Sequence, residues 1–108
     1  ASQDKFDLFV ALDVLIYIGD AKSIFQAVQK SCKPDSLFVF SVEIQDGNGY
    51  ALLKSSRYAH SDEYIMDQTN GLFDLVNSQN VRLRKEGENW IEGRIYIFRA
   101  EKLRRMKP

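Results

Sequence analysis

The stretch Phe6-Asp7-Leu8-Phe9-Val10-Ala11-Leu12-Asp13 limits what this chain can become more than any other. Residues Leu8 to Leu12 are all apolar. A strand with one wet face alternates polar and apolar side chains, so an unbroken run implies cover on both faces, as in a parallel sheet. The run ends in a carboxylate, Asp13, followed by an apolar turn and then Gly19-Asp20. Ligands of open parallel sheets bind outside the carboxyl ends of the strands. A site on this chain is therefore expected around Asp13.

The next residues complete a strand–helix–strand unit. Asp20 is a suitable N-cap, and Ala21, Ile24, Phe25, Val28 and Cys32 recur at helical spacing. Pro34 stops the helix, and Pro34-Asp35-Ser36 predicts a turn. Leu37-Phe38-Val39-Phe40-Ser41-Val42 reads as a second, central strand. Ile44 to Ala59 is expected to be a long polar loop. Ser61 caps a second helix, with Asp62 and Glu63 in its positive first turn and Asn70-Gly71 at its end. Leu72 to Arg84 and Trp90 to Ala100 then form two strands joined by a short turn, with Gly93 as a bulge. The expected fold class is α/β in the order β-α-β-loop-α-β-β, with two parallel strands and a closing antiparallel hairpin. One domain spans residues 1–108, and residues 101–108 form a basic tail.

Composition narrows the function. No apolar run approaches the roughly 20 residues a helix needs to cross a bilayer. The single cysteine, Cys32, rules out an internal disulfide and fits a reducing, cytoplasmic compartment. One histidine, His60, and no cysteine pair do not make a zinc ligand set. The net charge of zero conceals an asymmetry: residues 1–81 carry 6 Lys/Arg against 11 Asp/Glu, and residues 82–108 carry 9 against 4. A solvated tail is preferred over a nucleic-acid patch at the basic end, because no aromatic residues interleave with it.

At this point the chain resembles the C-terminal half of class I S-adenosylmethionine-dependent methyltransferases. Phe6 to Ile18 is similar to that family's fourth-strand motif. Val28 to Val39, VQKSCKPDSLFV, resembles its helix and fifth strand, with Asp35 and Ser36 in place of the usual glycine pair. The Arg84-to-Arg99 hairpin resembles its antiparallel sixth and seventh strands. Gly49-Tyr50 through Arg57-Tyr58-Ala59-His60-Ser61 is similar to predicted methyltransferases that carry tetratricopeptide repeats. The resemblance implies a partial Rossmann-like methyltransferase sheet. Phe6 to Asp13 also has the look of the phosphoacceptor strand of response-regulator receivers, but Lys33-Pro34 precedes a strand here rather than following the last one, and a closing hairpin does not fit.

The family binds its cofactor with a glycine-rich loop after its first strand, where backbone N–H groups must approach the ligand without a Cβ in the way. Gly47-Asn48-Gly49 is no substitute, since position 52 is leucine and no helix follows directly. The chain thus looks like the substrate-side half, a truncated methyltransferase inactive alone, with cofactor binding by this chain in doubt. The alternative is a non-catalytic dimerisation or regulatory module.

By resemblance, Asp13 lies beside the methionine end of the cofactor, with Leu12 and Val14 lining the same mouth. A carboxylate that caps the next turn, and two packing residues, are the plainer accounts. Tyr17 faces cofactor or substrate, or else covers the core. Tyr50, Arg57 and Tyr58 are candidate substrate contacts. His60 is the weak catalytic candidate, as a general base, against an exposed loop residue near a helix start. Cys32 reads as a small core residue and Trp90 as hairpin packing.

Half of such a fold leaves apolar surface unaccounted for. With only two helices, both on one face, the other face of the first two strands is bare, and the first strand is an unpaired apolar edge. Phe9, Ala11, Phe38, Phe40 and Val42 are the residues at issue. The chain is expected to self-associate as a homo-oligomer or to pair with the missing N-terminal half.

Overall fold

The computed structural model describes residues 6–12, 14–53 and 56–100. Asp13 and the basic tail at 101–108 lie outside them. The strands are β1 (Phe6–Ala11), β2 (Cys32–Ile44), β3 (Tyr50–Leu52), β4 (Tyr58–His60), β5 (Phe73–Glu86) and β6 (Asn89–Ala100). The helices are α1 (Lys22–Ser31) and α2 (Asp62–Thr69), and a 3-10 turn covers Leu15–Tyr17. This is a mixed α/β fold built on one curled sheet.

β2 is the axis. Along one edge it pairs in parallel with β1, from Leu8↔Leu37 to Ala11↔Phe40, and then with β4 at Glu43↔Ala59 and Ile44↔His60. Along the other it pairs antiparallel with β6, from Leu37↔Arg99 to Glu43↔Gly93, and β5 pairs outside β6. The last strand thus lies between β2 and β5, and two strands rather than one run parallel to β2. The stretch expected to be a long polar loop instead contains β3 and β4, paired from Tyr50↔His60 to Leu52↔Tyr58. Three-residue strands are too short to show a period-2 pattern, so only their partners define them.

The helix ends show where local chemistry prevails. The Ser61 Oγ accepts the Tyr64 N–H at 3.0 Å, with Asp62 and Glu63 in the first turn of α2, as its residues dictate. α1 begins one residue later than expected, with Ala21 as its N-cap, although the Asp20 carboxylate still accepts the Lys22 N–H at 3.1 Å. Asp35 takes a left-handed φ of 70°, and the β1–β2 register breaks between Phe6↔Cys32 and Leu8↔Leu37. The expected Pro34-Asp35-Ser36 turn is therefore an irregularity inside β2. Gly93 sits in register opposite Val81; the irregularities of the hairpin fall on β5, at Leu75/Asn77 and Arg82/Arg84. Glycine is required at 93 for another reason: a Cβ there would run into Leu83 and stand 2.6 Å from the Val42 carbonyl oxygen.

The core lies on one side of the sheet. Phe38, Phe40, Val42, Tyr96, Phe98 and Ala100 are buried against Phe25 of α1 and Ile65 of α2. Phe40 stacks on Phe98 at 5.7 Å and packs on Phe25 at 5.3 Å. Phe9 and Ala11 pack against this cluster from the edge. Cys32 is a buried core residue. The opposite side carries Leu8 and Val10, 56% and 58% exposed, with Leu37, Val39, Ile95 and Ile97 half-buried beside them. Register places these six on one face, since directly paired residues share a side of the sheet. The bare face thus belongs to Leu37 and Val39 of β2, not to Phe38, Phe40 and Val42.

Candidate functional site

The carboxyl ends of β1, β2 and β4 open on the same end of the sheet. At the end of β1, Leu12 and Val14 are 48% and 39% exposed, and Tyr17 is exposed on the 3-10 turn. The chain then turns inward. Gly19 packs against Tyr50 and Tyr58; a Cβ there would stand 2.5 Å from the Tyr50 ring and 2.7 Å from that of Tyr58. Glycine is needed here for close approach, not for an unusual φ.

His60 ends β4 and is 1% exposed, so the surface position considered for it from sequence is not what the fold builds. Its Nε2 lies 3.0 Å from the Gly19 carbonyl oxygen. A carbonyl only accepts, so this nitrogen carries the proton and Nδ1 is left as an acceptor. Nδ1 is buried and has no hydrogen-bond partner among the described residues. Burial lowers the His60 pKa, against the opposing pull of the Gly19 and Ile18 carbonyls, and so favours the neutral ring.

Tyrosines surround it. The rings of Tyr50 and Tyr64 lie 6.0 and 5.8 Å from His60, and Tyr58 lies 5.9 Å from Tyr50. The Tyr64 hydroxyl accepts the Ala21 N–H at 2.9 Å and donates to Asp20 at 3.4 Å. Burial raises its pKa. Tyr50, Tyr58 and His60 are thus brought together, and they tie the turn after β1 to α2.

Arg57 is held elsewhere. Its Nε donates to Glu43 at 2.8 Å, and its guanidinium also pairs with Glu86. Glu43 is 3% exposed and takes a second guanidinium, that of Arg84. This four-residue network joins β2 and the segment before β4 to the far end of β5. Glu43 and Arg84 were not legible as site residues, because a single acidic residue inside an apolar strand has no sequence-local partner.

A cavity of about 390 Å³ opens beside His60. Val42, Ile44 and Tyr96 line it from the sheet, Asp46 to Asn48 from the loop after β2, and Ser61 to Glu63 from the start of α2. Backbone bonds from Gln45 N to His60 O (3.1 Å) and from Ser61 N to Gly49 O (2.9 Å) set its walls. The Tyr96 hydroxyl donates to Asp62 at 2.6 Å, and burial raises the Tyr96 pKa.

Trp90 sits at the hairpin tip, 44% exposed, with Arg82 and Lys85 over its ring at 5.6 and 5.7 Å. It packs on the hairpin's own side chains, at the surface. No group of metal-ligating side chains occurs among the described residues. No helix among them is long and apolar enough to cross a membrane.

No family model matches the chain, and no curated protein matches it significantly. Solved structures do. A methyltransferase dependent on S-adenosylmethionine from Methanosarcina mazei superposes on 91% of this chain with a TM-score of 0.71 and 16% identity. The 1,6-didemethyltoxoflavin N1-methyltransferase of Burkholderia thailandensis, solved with its substrate and S-adenosylhomocysteine, covers 93% at a TM-score of 0.66 and 22% identity. The 4+2 cyclase SpnF covers 91% at a TM-score of 0.72 and 10% identity. The chain spans 60%, 48% and 50% of those three proteins. It therefore has the fold of S-adenosylmethionine-dependent methyltransferases over about half of their length. A cyclase among the matches shows that this fold alone does not dictate methyl transfer.

S-Adenosylmethionine fits the described residues only in part. Leu12 and Val14 offer an apolar rim. The glycine-bearing loop Asp46 to Gly49 turns its Gly49 carbonyl to the Ser61 N–H and so serves the entry to α2. A carbonyl engaged in that way is no cradle of N–H donors for a carboxylate or ribose. No step through the cofactor is derived from these residues.

Proposed function

We propose that this chain is the acceptor-side half of a class I S-adenosylmethionine-dependent methyltransferase, related to those with tetratricopeptide repeats, and that it transfers methyl groups only with a cofactor cradle supplied by further polypeptide. The observation that carries this is the agreement of over 90% of the chain with methyltransferase structures of which it spans only 60% and 48%. In that assembly Leu12, Asp13 and Val14 contact the cofactor's methionine end. Tyr17, Tyr50 and Tyr58 face the acceptor, and Arg57 orders the acceptor side through Glu43. His60 is the candidate for accepting a proton. Calorimetry with S-adenosylhomocysteine tests it. The 108-residue chain should bind no more tightly than about 1 mM, near 4 kcal/mol. Micromolar binding by this chain alone overturns the division of labour.

The bare sheet face supports a second reading, a module that self-associates in the cytoplasm through β1 and the face carrying Leu8, Val10, Val39 and Ile97. An exposed apolar face beside an unpaired strand edge is the surface that mediates association. Sedimentation of a clean monomer at micromolar concentration counts against it.

A further inference from the structure

The basic tail at 101–108 contains no aromatic residue, but the β5–β6 hairpin sets an indole among cations. Both of its strands run on past the end of β2. Glu43 lies opposite Gly93, and the ribbon continues to Glu86↔Asn89, about four residues or 13 Å further. Trp90, Glu92 and Arg94 alternate on the side of Tyr96, and Lys85, Arg82 and Asn80 lie across from them, since paired residues share a side of the sheet. The register thus gathers Arg82, Lys85 and Arg94 around the tryptophan, with Glu92 as the carboxylate on that face. Glu92 neutralises little: it reaches Arg82 only at 3.9 Å, with both side chains more than half exposed. The indole is 44% exposed, and Arg82 and Lys85 stand 5.6 and 5.7 Å from its centre. A cavity of about 480 Å³ adjoins it, with Trp90, Ile91 and Ile44 in its walls and Asn80, Asp46 and Glu92 among its polar groups.

A simple anion would use the cations and leave the indole idle. An apolar partner would use the indole and strand the cations. A ligand with planar rings and regularly spaced negative charge uses both. We propose that this projecting face of the hairpin binds single-stranded nucleic acid, with one base stacked on Trp90 and the flanking phosphates met by Arg82, Lys85 and Arg94. At an exposed site a cation over an indole is worth about two- to fivefold in affinity, and a stacked base roughly five- to 150-fold. A base therefore displaces a cation from the ring, and the freed cation turns to a phosphate. The cavity leaves room for the base, and the carboxylates there exclude phosphate from it. Insertion into a membrane is disfavoured, because the leading residues of the hairpin are Glu86-Gly87-Glu88-Asn89. Binding on this face needs no cofactor, so it stands independently of the methyltransferase reading.

Trp90 is the only tryptophan in the chain, so indole fluorescence of the intact protein reports on this face alone. Titration with an oligoadenylate of about eight nucleotides should quench it saturably. The logarithm of the affinity should fall with that of the salt concentration at a slope of about −2, from three phosphate contacts at about 0.7 each. Heparin, which has the charge without the bases, should compete but not quench. Arg82→Gln should flatten the slope by about 0.7. Trp90→Leu, followed by the anisotropy of a labelled oligoadenylate, should weaken binding about tenfold. Both substitutions change exposed side chains and should leave the urea transition in place. Absent quenching, equal quenching by heparin, a slope near zero, or full affinity in Trp90→Leu overturns the proposal. A response to phosphatidylserine vesicles or to oligoglutamate in place of the oligoadenylate also overturns it, and assigns the face to a membrane or to an acidic peptide.

Discussion

The two faces of the sheet are made from the same strands and meet opposite fates. On β2, Phe38, Phe40 and Val42 point to the helices and are at most 1% exposed. Leu37 and Val39, their immediate neighbours, point the other way and stay half-buried, with the exposed Leu8 and Val10 beside them. Composition does not separate the two sets. What differs is cover: α1 and α2 both pack on one side, and among the described residues nothing covers β1 on the other. A strand apolar on both faces therefore reports the cover it was selected for, which need not lie in the same stretch of chain.

The sharpest test of that contrast is a pair of truncations. Phe40→Ala removes a ring that contacts Phe25, Phe38, Tyr96 and Phe98, and should cost about 3–5 kcal/mol in urea unfolding. Val10→Ala on the open face should cost less than about 1 kcal/mol. Equal losses would mean that the open face is covered in solution.

Further along the same side of β2 lies Glu43, a buried carboxylate held by Arg57 and Arg84. Glu43→Gln keeps its shape and removes its charge. The loss should be about 2 kcal/mol, below the ~3–5 kcal/mol of a fully buried pair, because both guanidinium groups reach water. A neutral outcome would show the network to be no more than surface decoration.

His60, at the site end of the helix side, makes that region sensitive to pH. Its folded pKa is lowered from 6.5 by burial, so the unfolded chain binds the proton more readily. Its contribution is fully present above about pH 6.5 and is lost as pH falls toward the folded pKa. The facing groups are the Tyr50 and Tyr64 rings and the Gly19 carbonyl, with Asp20 bonded to Tyr64. Chemical denaturation between about pH 5 and 8 should show this slope, and His60→Gln should flatten it.

The smallest effect on stability belongs to the open edge. Val10→Lys should change the monomer's stability by no more than about 0.5 kcal/mol, while weakening any self-association read by sedimentation. A large loss of stability in a protein that remains monomeric would contradict the bare face directly.

Much of this architecture was readable from local chemistry. The Ser61 cap with Asp62 and Glu63, the apolar β2 and the hairpin turn at Gly87 each depend on residues a few positions apart. Even the place of β6 left a trace: Ile95-Tyr96-Ile97-Phe98 is apolar on both faces, whereas Asn77-Ser78-Gln79-Asn80 of β5 suits an edge. What stayed hidden was long-range. His60 depends on Gly19 and Glu43 on Arg84, each pair 41 residues apart. β3 and β4 are too short to have a pattern of their own.

By itself, then, the sequence determined a mixed α/β class, the start of α2 and the central place of β2, because caps, turns and periodicity act between near neighbours. The tertiary structure decided which face of β2 is covered, that His60 is buried with one nitrogen unpaired, and that Arg57 answers to Glu43. Those outcomes depend on which distant segments arrive beside each residue, and no local pattern encodes that.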